Sequence, residues 1–117
     1  MITTTSTPTA VGLGIDRLLD VERRLLSGRR IAVVCNPASV DRQLRHTADR
    51  LIADPDISVA ALFGPQHGFR SDLQDNMIET PHAQDGRRRV PVYSLYSETR
   101  EPTAEMLRGI DVLLVDL

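Results

Sequence analysis

Ile57-Ser58-Val59-Ala60-Ala61-Leu62-Phe63, followed at once by Gly64-Pro65-Gln66-His67-Gly68-Phe69-Arg70-Ser71-Asp72, is the stretch on which the fold of this 117-residue chain turns. The first seven residues are short, apolar and partly β-branched, and Gly-Pro closes them, which predicts a buried strand. The second part sets two Gly and a rigid Pro among an amide, an imidazole and a guanidinium. Gly64 and Gly68 permit backbone conformations closed to other residues, and Pro65 fixes one φ angle. A plain connector needs less backbone control than this. In an open α/β sheet, the loop just past a strand's C-terminal end is where ligands are held. The same loop could also be an ordered turn, with His67 and Arg70 bonding its neighbours.

Upstream, Ile15, Leu18, Leu19, Val21, Leu25 and Leu26 recur at helical spacing, with Asp16, Arg17, Asp20, Glu22, Arg23 and Arg24 on the other side. The spacing predicts a helix over 15–26 with Gly28 as its C-cap. Ile31 to Cys35 is a continuous apolar run typical of a central parallel strand, stopped by Asn36-Pro37-Ala38-Ser39. Asp41 or Ser39 can cap a second helix over 41–53, with Leu44, Ala48, Leu51 and Ile52 apolar and His46 on its surface. Asp54-Pro55-Asp56 ends it, and strand 57–63 completes a right-handed βαβ unit. Residues 1–11, rich in Thr with Ser and Pro, are expected to be a disordered tail, and 12–117 a single domain.

Downstream, residues 71–89 read as a long polar loop, interrupted by Met77-Ile78 and an Asp85-Gly86 turn. A loop of that length is usually functional or disordered. Arg87-Arg88-Arg89 reads as a solvated loop end or, alternatively, an anion contact. A third strand is expected over 92–95, placed at an edge because Pro91 cannot donate to a ladder. Thr103 caps a short helix closing at Gly109, and 111–117 form a fourth strand. With the connections read in this way the sheet is largely parallel and Rossmann-like, with flanking helices. Its strand ends then converge Asn36, the 64–72 loop, Tyr93, Tyr96 and Asp116, with Glu79 and Glu98 in the adjoining loops. No helix follows the fourth strand to cover its second face, so the chain is expected to be the front part of a longer protein, truncated after that strand.

Composition narrows the chemistry. A formal net charge of −2 gives no basis for a nucleic-acid or membrane partner, and all fourteen basic residues are Arg. With 3% aromatic residues and no Trp there is no base-stacking platform. The single Cys35 lies in an apolar run and reads as a small buried hydrophobe. The start has neither the basic nor the apolar region of a secretory signal, and no apolar stretch approaches bilayer length, so a cytoplasmic location is expected. The dinucleotide fingerprint, a Walker-type lysine loop and a Gly-x-Ser-x-Gly elbow are all missing. His46, His67 and His82 lack ligand spacing, so neither a metal nor a cofactor is expected.

Three spaced motifs resemble a known family. Phe63-Gly64-Pro65-Gln66-His67-Gly68-Phe69-Arg70, Tyr93 to Arg100 with Pro102-Thr103, and Ile110 to Leu117 are similar, in that order, to the bacterial exo-β-N-acetylmuramidases of the NamZ type. Ile31 to Pro37 resembles that family's first strand and Asn-Pro turn. The resemblance covers about residues 12 to 117. It implies a Rossmann-like N-terminal domain, a separate C-terminal domain, and release of terminal N-acetylmuramic acid from peptidoglycan fragments. It also implies that the fragment alone is inactive.

One departure matters. The family's proposed catalytic residue is a Glu where this chain has Gln66. An amide can bond a sugar or orient a water but cannot deliver a proton. Glycoside cleavage normally uses one carboxyl as acid and a second as base or nucleophile. The Gln66 form, with Gln74 to Glu79, resembles a recurring variant of the family. The candidate site is thus Gln66, His67, Glu79 and Glu98 for chemistry, with Asn36, Gly64, Gly68, Arg70, Tyr93, Tyr96 and Asp116 for substrate. Two other readings stay open. One is a sugar- or muropeptide-binding protein that has lost the acid. The other is an unrelated small anion held by Arg70 and backbone amides.

Overall fold

The computed structural model describes residues 11–65, 90–96 and 100–117, with the backbone of 83–85. Helix α1 (Gly14–Asp20) and a 3-10 turn (Arg23–Leu25) lead into strand β1 (Arg30–Cys35). Helix α2 (Thr47–Ala53), β2 (Ser58–Gly64), β3 (Ala83–Asp85), β4 (Val90–Ser94) and β5 (Val112–Asp116) follow. The strands form one sheet in the order β3-β4-β2-β1-β5. β1 is parallel to β2 and to β5, β2 is parallel to β4, and β3 alone runs antiparallel. This is the Rossmann-like α/β arrangement expected from the apolar runs.

The strand order has a consequence for the site. From β1 the chain adds β2 and then β4 on one side, and afterwards crosses back to lay β5 on the other side of β1. The strand order therefore reverses between β1 and β5. In open α/β sheets the crevice beyond the carboxyl ends at such a reversal is the usual binding position.

Register separates two faces. Ile31, Val33, Cys35, Leu62 and Val92 pack with Ile15, Leu19, Leu26, Ala48 and Leu51 on the side of α1 and α2, and Val112 and Leu114 extend this row. Ala32, Val34, Ala61 and Phe63 occupy the other side, packed against Tyr93, Leu95, Met106, Leu107 and Ile110. The strand residues of β1 are buried from Ile31 to Cys35, which is why that run carries no polar alternation. On β5 Leu113 and Val115 are exposed, as is Leu117 just past its end.

Several expectations shift in detail. The helix expected over 15–26 breaks after Asp20. Arg23 is drawn into a two-pronged bond with Asp54 (2.7 and 3.0 Å), and Leu26 turns into the core. The helix expected over 41–53 starts only at Thr47. Asp41 caps its own turn instead, accepting from the backbone N–H of Gln43 and Arg45 (2.8 and 2.9 Å). Leu44 takes the left-handed conformation (φ 62°), and a Val40–His46 bridge closes the turn. Residues 104–109 form consecutive turns, not a helix. The Met106 N–H does bond Thr103 Oγ1 (3.2 Å), and Gly109 does take positive φ (74°).

β4 is not an edge strand, because β3 lies along its outer side. Pro91 is tolerated since the ladder with β2 begins one residue later, at Val92. Residues 1–10 of the proposed tail, the 71–82 part of the long loop and Arg87 to Arg89 lie outside the described residues.

Candidate functional site

The C-terminal edge of the sheet is where β1, β2, β4 and β5 all end, at Cys35, Gly64, Ser94 and Asp116. Each end is fixed differently. At β2, Gly64 is buried, and its carbonyl accepts from the Leu95 N–H (2.8 Å), joining the exits of β2 and β4. Past β4, the buried Ser94 hydroxyl accepts from the Tyr96 N–H (3.1 Å) and bends the chain. The guanidinium of Arg100 lies 4.3 Å from the centre of the Tyr96 ring, a cation–π geometry. Tyr93 tilts against Phe63, with ring centres 5.4 Å apart, so its ring belongs to the face opposite α1 and α2.

At the crevice between β1 and β5 a connected set of hydroxyl, amide and carboxylate groups joins the two strand ends. Asn36 Oδ1 accepts from the Ala38 N–H (2.9 Å), which shapes the Asn-Pro turn. That turn brings Ser39 back onto Asn36, whose N–H donates to Ser39 Oγ (2.9 Å). The Ser39 hydroxyl donates in turn to the Asp116 carbonyl (2.5 Å). Thr47, the first residue of α2, donates its hydroxyl to Asp116 Oδ2 (2.5 Å). Ser39 and Thr47 are both buried and are themselves tied together, the Thr47 N–H donating to the Ser39 carbonyl (2.8 Å).

His46 anchors the set from outside. Its Nδ1 accepts from the Ala48 N–H (3.1 Å), so Nε2 carries the proton and donates to the Asn36 carbonyl (2.8 Å). It is therefore the N-cap of α2, not a residue on a helix surface.

Of the site residues expected from sequence, Asn36 and Asp116 are brought to one crevice, and Gly64 and Tyr96 stand at the same sheet edge. Gln66, His67, Gly68, Arg70, Glu79 and Glu98 lie outside the described residues, as does His82. Ser39 and Thr47 were missed as site residues. A hydroxyl in the loop after a central strand and another opening the next helix were the available signal, but their partner lies at the far end of the chain. Among the described residues no group of three or more His, Cys, Asp or Glu could hold a metal ion. None of the described helices is long and apolar enough to cross a membrane.

Two further carboxylates are shifted without being at this edge. Asp41 is opposed by burial, but bonds from the Arg45 and Gln43 backbone N–H groups and the Arg45 guanidinium hold it below its ordinary value. Asp54 is held low chiefly by the bond from Arg23, which is itself raised by that bond. An open groove of about 850 Å³ along α1 and α2 contains the Arg23–Asp54 pair and extends to Asp56, at the N-terminal end of β2.

Comparison with known proteins agrees with the geometry. The family model for exo-beta-N-acetylmuramidase NamZ, N-terminal, matches residues 31–117. The peptidoglycan beta-N-acetylmuramidase NamZ of Bacillus subtilis (strain 168) is 45% identical over 107 residues, covering 92% of this chain and 26% of its own. Two DUF1343 family proteins of Bacteroides fragilis NCTC 9343 share the fold. One has a TM-score of 0.77 at 41% identity, over 89% of this chain and 25% of its own. The other has a TM-score of 0.65 at 26% identity, over 88% and 24%. The chain thus spans about a quarter of the length of each relative. A parallel sheet with this order and a family match from β1 to β5 lead to one conclusion: the chain belongs to the family of NamZ N-terminal domains.

Proposed function

We propose that this chain is the N-terminal domain, residues 12–117, of a cytoplasmic glycoside hydrolase that releases terminal N-acetylmuramic acid from peptidoglycan fragments during cell-wall recycling. The observation that carries the reading is the position of β2. It lies between β1 and β4, so its Gly64-Pro65 exit stands at the same edge as Asn36 and Asp116. That edge is the binding edge of this architecture. A C-terminal domain supplies the rest of the cleft, in line with the quarter-length coverage of the relatives.

In this reading Gln66 orients the sugar or a water, His67 and Arg70 order the loop, and Glu79 or Glu98 delivers the proton to the leaving oxygen. Asn36, Gly64, Gly68, Tyr93, Tyr96 and Asp116 contact the substrate. No cofactor or metal takes part. The amide at position 66 favours a second reading, a muropeptide-binding protein that keeps the fold without the acid.

The two readings part in an assay of the full-length protein on a chromogenic N-acetylmuramic acid β-glycoside. If a displaced carboxyl is the acid, Glu79→Gln or Glu98→Gln should lower turnover about 100- to 10,000-fold. If the acid is lost, wild type should be nearly silent and Gln66→Glu should gain activity. A wild type that cleaves well and is indifferent to all three changes would move the chemistry to another cleft.

A further inference from the structure

We propose that Ser39 and Thr47 are positioning residues that hold Asp116 in one orientation at the β1–β5 crevice, where its Oδ1 accepts a hydrogen bond from a sugar hydroxyl. The inference rests on the glycan reading of this sheet edge, and it starts from a break in pattern. Along β5, Val112 and Leu114 pack into the core on the helix side, beside Ile31 and Val33. The next residue of that row is Asp116, opposite the fully buried Cys35. Packing alone would place another apolar residue there. A carboxylate in that position is costly unless its oxygens are satisfied.

The fold satisfies it selectively. Thr47 has one hydroxyl proton and spends it on Oδ2. Ser39 accepts from the Asn36 N–H and donates to the Asp116 carbonyl, so it clamps the backbone of β5 to the end of β1. Among the described residues Oδ1 has no partner, and Asp116 is half-buried, not sealed. Backbone and one carboxylate oxygen are thus both held, leaving one acceptor of fixed direction at the reversal point of the sheet. A carboxylate oxygen accepting from a neutral hydroxyl is the stronger kind of hydrogen bond, which suits sugar recognition. The same bond would form in ground and transition states, so its loss should appear in KM before kcat.

The test uses the full-length protein and compares Thr47→Val, Thr47→Ser, Asp116→Asn and the Thr47→Val/Asp116→Asn double variant. Thr47→Val should raise KM about 10- to 100-fold, the range for a hydrogen bond to a charged group, with kcat little changed. Thr47→Ser should restore wild-type KM, and the double variant should be no worse than Asp116→Asn. An unchanged KM in Thr47→Val, or losses that multiply in the double variant, would overturn the proposal. Should Thr47→Val fail to fold, Asp116→Asn decides, since a wild-type KM there is equally fatal.

Titration calorimetry with N-acetylmuramic acid repeats the series as Kd and separates the two readings. A wild type that binds the sugar but does not cleave sinks only the hydrolase reading, and the Kd series still judges the positioning. A wild type that binds no N-acetylmuramic acid overturns the positioning as well.

Discussion

Asp54 ends α2, and in doing so it ties the start of β2 to the turn after α1. Both its oxygens accept from Arg23, and Oδ1 also accepts from the Asp56 N–H (3.0 Å). The carboxyl is held below its ordinary value mainly by that Arg23 bond, and Asp41 is likewise low through the backbone and side-chain donors that outweigh its burial. Both groups bind a proton less readily folded than unfolded. Their stabilisation is therefore complete above about pH 4, the ordinary aspartate range, and is lost as pH falls through the lower folded values. In urea unfolding, Asp54→Asn should be less stable than wild type at pH 7. That gap should narrow below about pH 4; a gap unchanged at strongly acid pH would contradict the assignment. Sequence placed Asp41 as a helix cap and Asp54 at a helix end. It could not show the partner of Asp54, because Arg23 is 31 positions away and nothing in local spacing links them.

Among the elements, α2 shows how tertiary context moves a helix start. The apolar spacing from Leu44 suggests an earlier beginning, yet Leu44 is 80% exposed and in the left-handed region. Asp41 finds better partners in its own turn and in Arg45 and Arg50, so capping passes to His46. That imidazole serves both α2 and the Asn36 turn, so it couples a helix terminus to the candidate site. His46→Ala should cost roughly 0.5–2 kcal/mol, the range for a lost N-cap. His46→Asn, which keeps an acceptor for the Ala48 N–H, should cost less in the same denaturation experiment. Equal losses would mean that the bond to Asn36, and not the cap, carries the effect. The strands were easier to read than this helix. Runs such as Ile31 to Cys35 are apolar throughout because they are covered on both faces, and that demand is written locally.

For the molecule as a whole, the two faces of the sheet are unequally covered. α1 and α2 close one face, while on the other Leu113, Val115 and Leu117 stand 40%, 65% and 67% exposed along the edge strand and just past its end. A row of this kind marks an interaction surface or an aggregation liability. The 117-residue chain should self-associate or bind a hydrophobic dye, and Val115→Lys should reduce both. A monodisperse, dye-silent monomer at high concentration in size-exclusion chromatography would contradict this. The parallel class of the sheet and the positions of its four parallel strands were decided by the sequence alone, since burial on both faces and short βαβ links leave few alternatives. Asn36 and Asp116 were legible as strand-end polar residues for the same reason. The short antiparallel β3, the reversal between β1 and β5, and the bonds that Ser39 and Thr47 make to Asp116 were not. The bond from Ser39 to Asp116 alone spans 77 residues. Side-chain periodicity tells which face a residue occupies, but only the assembled sheet decides which distant strand end it meets.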